Sequence, residues 1–259
     1  MSAGTTSRAM GPTGIPLEGH TVRTFDGDIL ALRMRVLEMG GLAIDQVQRA
    51  VQALVQGYDE AAHAVMGRDA QVVAYARAIE EEAIGLIARR QPVASDLRAI
   101  LTVGKVATDL ERVGHGAHKI ARLAIELHAT GGDAPLQRFY HDVRRISRLA
   151  LAMLRDALDC FDRVDLGDSE RVARRDQEID AEFRLALRDL VTYLLEDQRY
   201  IRSIIQTVFL MKALERIGDH ARDIALAVPR LVRRGEGAAP AADGQAPGTG
   251  AAPRVQSSA

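Results

Sequence analysis

The chain has 259 residues, a net charge of −1 and 4% aromatic residues without a single Trp. Near-neutral charge excludes a global field that would draw in nucleic acid or an anionic membrane surface, and no apolar run approaches the ~18–20 residues of a spanning helix. One cysteine, Cys160, excludes an internal disulfide and fits a reducing cytoplasm.

Taken in order, Met1–Gly19 is small, polar and rich in Gly and Pro, with no apolar segment of a secretory signal. Residues 1–23 are expected to lack fixed structure. Cap residues in Thr24–Asp28 precede a helix over about 29–56, whose Leu30, Met34, Leu37, Gly41, Ile44, Val47, Val51 and Leu54 recur at spacings of three and four. Gly40 and Gly41 inside it read as close helix packing. Gly57–Glu60 marks a break. A second helix is expected over about 69–90, a turn and cap at Pro92 and Ser95-Asp96, and a third helix over about 96–129.

Gly131-Gly-Asp-Ala-Pro135 is the clearest break, with Asp133 as cap and a proline near a helix start. A fourth helix follows over about 135–161. Cys160 lies in its apolar pattern, as a small core residue and not a reactive thiol. Val164–Asp168 reads as a loop ending in a cap, followed by a fifth helix over about 169–196 and a sixth over about 198–233. Residues 235–259, rich in Gly, Ala, Pro and Ser, are expected to be disordered. Long helices joined by short loops pack as antiparallel neighbours. The expected fold is therefore all-α: two tandem three-helix bundles, 24–130 and 131–234.

Duplication supports that division. Asp109-Leu-Glu-Arg-Val-Gly-His-Gly-Ala-His-Lys-Ile-Ala121 returns as Ala213-Leu-Glu-Arg-Ile-Gly-Asp-His-Ala-Arg-Asp-Ile-Ala225. Aligning Glu111 with Glu215 leaves seven of the twelve positions from Leu110 identical. At the other end of the repeat Leu32, Val36, Met39 and Ala43 match Ile146, Ala150, Met153 and Ala157.

At about 100° per residue, Lys212, Glu215, Asp219 and Arg222 share one face of the sixth helix, continuing the apolar stripe Ile201, Ile205 and Val208. In the third helix Thr108, Glu111, His115 and His118 continue Leu97, Ile100, Leu101 and Gly104. A second apolar face starts at Leu214, Ile217, Ala221 and Ile224, and at Leu110, Val113, Ala117 and Ile120. The acids therefore border packed surface. Two carboxylates one turn apart need a cation between or opposite them. Arg222 and Lys212 can supply it, and so can iron, zinc, manganese or magnesium held between packed helices. His115 shifts that preference toward zinc or iron. The candidate ligands are Glu215, Asp219, Asp223, Glu111 and His115. Asp176, Glu178 and Asp180 either approach Glu215 across the bundle or serve as ordinary N-terminal helix charge. Glu80–Glu82 reads as a solvated run. Gly114-His-Gly116 is mid-helix and is no phosphate loop. No nucleophile motif suggests an enzyme.

On Leu214-Glu-Arg-Ile-Gly-Asp-His-Ala221, its twin Asp109–Gly114, and Gln91-Pro-Val-Ala-Ser-Asp-Leu-Arg98, the chain resembles the PhoU family over roughly residues 24–233. The resemblance implies a cytoplasmic, non-enzymatic negative regulator of phosphate uptake and phosphate-starvation signalling. It implies two partners, the ATPase subunit of a phosphate ABC transporter and a phosphate-sensing histidine kinase, with membrane association only through them. It also implies a homodimer, and a multinuclear iron or zinc cluster on Glu215, Asp219 and Glu111. His115 departs from the family's Asp. Copy two also has Asp197-Gln-Arg-Tyr200 where copy one has its Gln-Pro-Val-Ala-Ser-Asp turn. The competing reading is a metal-binding bundle, for storage or catalysis, using carboxylates of the third and sixth helices.

Overall fold

A computed structural model of the chain describes residues 23–92, 94–130 and 134–232. The expectations for the two tails and for the Asp133 cap lie outside the described residues. Seven α-helices are present among those described: α1 Arg23–Gln56, α2 Asp59–Arg90, α3 Ala94–Ala129, α4 Tyr140–Arg163, α5 Leu166–Arg174, α6 Asp176–Glu196 and α7 Ile201–Val232, with short 3-10 turns at Ala134–Phe139 and Gln198–Tyr200. No strand occurs among the described residues. The fold is all-α, as expected, with α1–α3 forming one bundle and α4–α7 the other.

The boundaries correct several expectations. α1 already includes Thr24–Asp28, so these residues are helix and not a cap. α2 starts at Asp59, ten residues earlier than expected, because Gly57, at φ 73°, completes the reversal by itself. The cap before α5 is Asp165, whose side chain accepts from Asp168 N at 3.1 Å; Asp168 lies inside the helix. The expected fifth helix is two. Arg175 N reaches only three residues back, to Val172 O at 3.0 Å, and Glu178 N repeats that tight pattern with Arg175 O. The Arg175 guanidinium is meanwhile tied to Asp156 on α4. α5 and α6 together fill the place that α2 holds in the first half.

The halves join side by side. Asp109 meets His220, Glu126 meets Gln206 and Thr130 meets Ser203, so one number falls as the other rises and α3 runs antiparallel to α7. α1 and α4 do the same: a Cβ on Gly40 would lie 2.6 Å from Leu158 Cδ1, which accounts for that glycine as close packing. Nothing crowds Gly41. Arg33, fully buried on α1, donates to the carbonyls of Phe161 and Asp162 at 2.8 and 2.7 Å, satisfying the end of α4.

The core follows the duplicated positions. Leu32, Val36, Met39 and Ala43 are fully buried, and so are Ile146, Ala150, Met153 and Ala157. Leu30 and Met34, expected on the packed face, are 37% and 48% exposed. The face starting at Leu214, Ile217, Ala221 and Ile224, and its twin in α3, is buried throughout. The stripe before the acids is different: Ile201 and Ile205 are each about half exposed while Val208 packs partly against the core, and the next residue, Phe209, is also about half exposed. Cys160 is buried as expected, and burial, with the nearby Asp168, pushes its thiol up to about 11. No described helix is long and apolar enough to cross a membrane.

Candidate functional site

The repeated segment places two acidic sites where the third helix of each half crosses the second. Two glycines set the crossing. A Cβ on Gly114 would come 2.9 Å from Val72 Cγ1 of α2, and one on Gly218 would come 2.6 Å from Ile179 Cδ1 of α6. This close approach carries Asp69, three residues before Val72, against α3, and Asp176, three residues before Ile179, against α7.

On α7, Glu215 is only 7% exposed; its Oε1 accepts from Lys212, one turn earlier, whose ammonium also lies 5.4 Å from the Phe183 ring centroid on α6. Asp219 lies 3.2 Å from Arg222. Arg222 also donates to Asp176 and lies 3.6 Å from Asp223. One guanidinium thus serves three carboxylates, and the cations beside Glu215 and Asp219 in this structure are Lys212 and Arg222. Burial pushes the Asp176 carboxyl above its ordinary range, and Arg222 only partly offsets this. Glu215 Oε2 and Asp176 Oδ1 remain buried without a hydrogen-bond partner among the described residues.

The first half differs in chemistry. Asp69 Oδ2 lies 3.8 Å from His115 Nε2 and 3.9 Å from His118 Nδ1. His118 takes the place of Arg222, so an imidazole stands where the second half has a fixed cation. Glu111 does not join this group. It lines a groove of about 470 Å³ between α2 and α3, beside Arg77 and Glu80. Asp69 thus meets His115 and His118 across the helix pair, and among the described residues no ion pair links Glu111 to them.

Asp223, beside Arg222, has a second set of neighbours. It turns toward α3, where its carboxylate, Asp109 and His220 place ligand atoms within 4.8 Å of one another. Burial pushes the Asp109 carboxyl up, but hydrogen bonds from His220 at 3.3 Å and Lys105 at 3.1 Å outweigh it and hold it below the ordinary range. This trio joins the two halves and has no counterpart at the repeated positions, which are Ala213, Gly116 and Lys119.

Sequence reasoning weighed Asp176 but missed Asp69, Asp109 and His220. A signal for Asp69 exists: Arg68-Asp-Ala-Gln-Val72 and Arg175-Asp-Gln-Glu-Ile179 share Arg-Asp followed by a β-branched residue at the same spacing. Asp109 and His220 meet only through the seam between halves, and no local pattern links them.

Comparison with known proteins follows the same two segments. Residues 36–124 and 143–228 each match the family model described as the PhoU domain. A phosphate-specific transport system accessory protein PhoU homolog of Pseudomonas putida is 44% identical over 217 residues, 84% of this chain and 84% of that protein. The accessory protein PhoU of Escherichia coli is 34% identical over 208 residues, covering 80% and 85%. The crystal structure of PhoU from Pseudomonas aeruginosa superposes with a TM-score of 0.76 at 42% identity, covering 80% of this chain and 98% of that one. That of the phosphate transport regulatory protein PhoU from Streptococcus pneumoniae gives 0.72 at 25%, covering 80% and 96%.

Proposed function

The chain belongs to the PhoU family, and from that premise we propose that it is an accessory, regulatory protein of a phosphate-specific transport system. The observation that carries this reading is the match of both halves to the same domain, together with relatives of that name aligned over most of their length. In finer detail, the protein acts in the cytoplasm as a negative regulator. It binds the ATPase subunit of a phosphate ABC transporter and a phosphate-sensing histidine kinase, and keeps the starvation response off when phosphate is plentiful. It works as a homodimer. Such an adaptor needs rigid helices and exposed contact surface more than a reactive pocket. The half-exposed Ile201, Ile205 and Phe209 support that role. Deleting the gene and following a starvation reporter in phosphate-rich medium tests it. The reporter is expected to switch on, and a silent reporter in a strain with no paralogue refutes the proposal.

A second reading, that the acidic sites take metal, has its own support. Buried oxygens of Glu215 and Asp176 lack partners, so the donor set fits a hard cation. Glu215, Asp219 and Asp176 would hold it by oxygen, with Arg222 displaced. Asp69, His115 and His118 offer a mixed N/O set of the kind iron or zinc accepts. A bound metal would supply charge neutralisation at these helix crossings. Elemental analysis of purified protein beside Glu215→Ala/Asp219→Ala and His115→Ala/His118→Ala is expected to show a loss of metal in each. Unchanged metal content in both variants rules these sites out.

A further inference from the structure

We propose that the seam between α3 and α7 is a binding site for a small tetrahedral oxyanion, inorganic phosphate, built around the arginine that the duplication repeats. The repeated segment reads Leu-Glu-Arg in both halves; the second-half site uses its Glu, and neither acidic site uses the Arg. Arg112 and Arg216 are equivalent under the repeat. Because α3 and α7 run antiparallel, these mates face the same opening instead of opposite ends of the molecule.

That opening is a cleft of about 260 Å³. Arg112, His115 and Lys119 line it from α3, and Arg216 and His220 from α7. Among the described residues no carboxylate lines it, and Asp109 meets the lining only at His220, at 3.3 Å. Among the described residues, none of Arg112, Arg216 and Lys119 has a carboxylate within the 4.0 Å of an ion pair. Two arginines and a lysine gathered without an acid repel one another, and an anion between them relieves that repulsion through charge-assisted hydrogen bonds. Gly116 forms part of the lining. A Cβ there would lie 3.2 Å from Ile217 Cγ1, so the glycine eases the close approach that brings both sets of basic groups together. Lys119 is held in place by the Phe209 ring, 5.4 Å from its ammonium.

Size and hydrogen bonding narrow the ligand. Pockets for drug-sized molecules run to roughly 300–1,000 Å³, so this cleft suits an ion and not a nucleotide. His220 Nδ1 faces the Asp109 carboxylate at 3.3 Å. That carboxylate only accepts, so Nδ1 carries the hydrogen of this contact, and the neutral tautomer that satisfies it presents Nε2 as an acceptor. Hydrogen phosphate has a P–OH to donate to it, while sulfate at neutral pH has none.

The site stands on this geometry; its assignment to phosphate draws also on the regulatory reading above. Calorimetric titration of the full chain with sodium phosphate at fixed ionic strength, beside sodium sulfate and sodium chloride, tests it. One phosphate per chain is expected, with sulfate bound at least about tenfold more weakly. Arg112→Gln and Arg216→Gln are each expected to weaken phosphate binding about tenfold or more, and Arg112→Lys to weaken it less. Both arginines are exposed, so these variants keep the fold, which circular dichroism checks. His220→Gln is expected to narrow the preference for phosphate over sulfate. Absence of saturable binding, phosphate binding by either Arg→Gln variant as tight as the parent's, or sulfate bound as tightly as phosphate overturns the proposal. The binding measurement uses purified protein and the reporter uses cells, so failure of the site and failure of the regulatory role are read separately.

Discussion

Arg222 is the point at which the second half can be perturbed most informatively. Replacing it by Ala leaves Asp176, Asp219 and Asp223 without their shared cation, and Asp176 is buried. Breaking a buried ion pair from one side costs ~3–5 kcal/mol. The Arg222 side chain is 37% exposed, and water screens part of the loss. A destabilisation of about 2 kcal/mol near neutral pH is expected. For a protein of this size that lowers Tm by about 4–8 °C. The pH dependence has a definite sign. The folded Asp176 carboxyl lies above its ordinary value because burial raises it and Asp219 and Asp180 add to the effect, against the pull of Arg222. A carboxyl raised on folding contributes stability below its unfolded value of ~3.9 and loses that contribution as pH rises through the folded value. Without Arg222 it rises further. The variant's deficit is therefore largest at neutral pH and shrinks on acidification. Thermal unfolding followed by circular dichroism near pH 7 and near pH 4 measures both. A variant as stable as the parent at neutral pH, or a deficit that grows toward acid, refutes the ion-pair account.

Three further outcomes are expected. Gly114→Ala destabilises by about 1–2 kcal/mol in denaturant titration, because Val72 meets the new Cβ with its stiff, β-branched Cβ and both methyls; Gly218→Ala is close to neutral, because only the mobile end of Ile179 must move while helix propensity gains about 1 kcal/mol. Asp109→Asn costs about 1 kcal/mol at neutral pH; since the folded Asp109 carboxyl is depressed, its contribution exists above the unfolded value and disappears as pH falls through the folded value, so parent and variant converge in stability in acid in the same titration. Cys160, buried with its thiol raised to about 11, reacts with a maleimide only in denaturant, and mass spectrometry of the native protein shows it unmodified.

Duplication made the fold legible before any coordinate. Matching Leu32, Val36, Met39 and Ala43 to Ile146, Ala150, Met153 and Ala157 identified eight fully buried residues. Helical periodicity within α1 alone pointed to Leu30 and Met34, which face solvent. The reason is that α1 packs against three other helices, α2, α3 and α4, so apolar residues recur on several of its faces and a single stripe does not identify the core. The break at Arg175 was hidden for a related reason: both pieces keep helical composition, and the tie to Asp156 on α4 is tertiary.

The sequence by itself determined that the chain is helical and duplicated, and that each half carries a charged face bordering a packed one, because these depend on order and spacing along a helix. It also placed Lys212, Glu215, Asp219 and Arg222 on one face within about three turns of one helix, where the structure pairs Lys212 with Glu215 and Asp219 with Arg222. Only the tertiary structure decided which groups complete each site. Asp69 arrives there because Gly114 lets α2 approach α3, and Asp176 arrives through the packing of α6 on α7 near Gly218. Glu111 faces a groove that it shares with Arg77 and Glu80 of α2. Asp109 with His220, and Arg112 with Arg216, meet because α3 and α7 run antiparallel. Their separation along the chain is about a hundred residues, and no local interaction spans that distance.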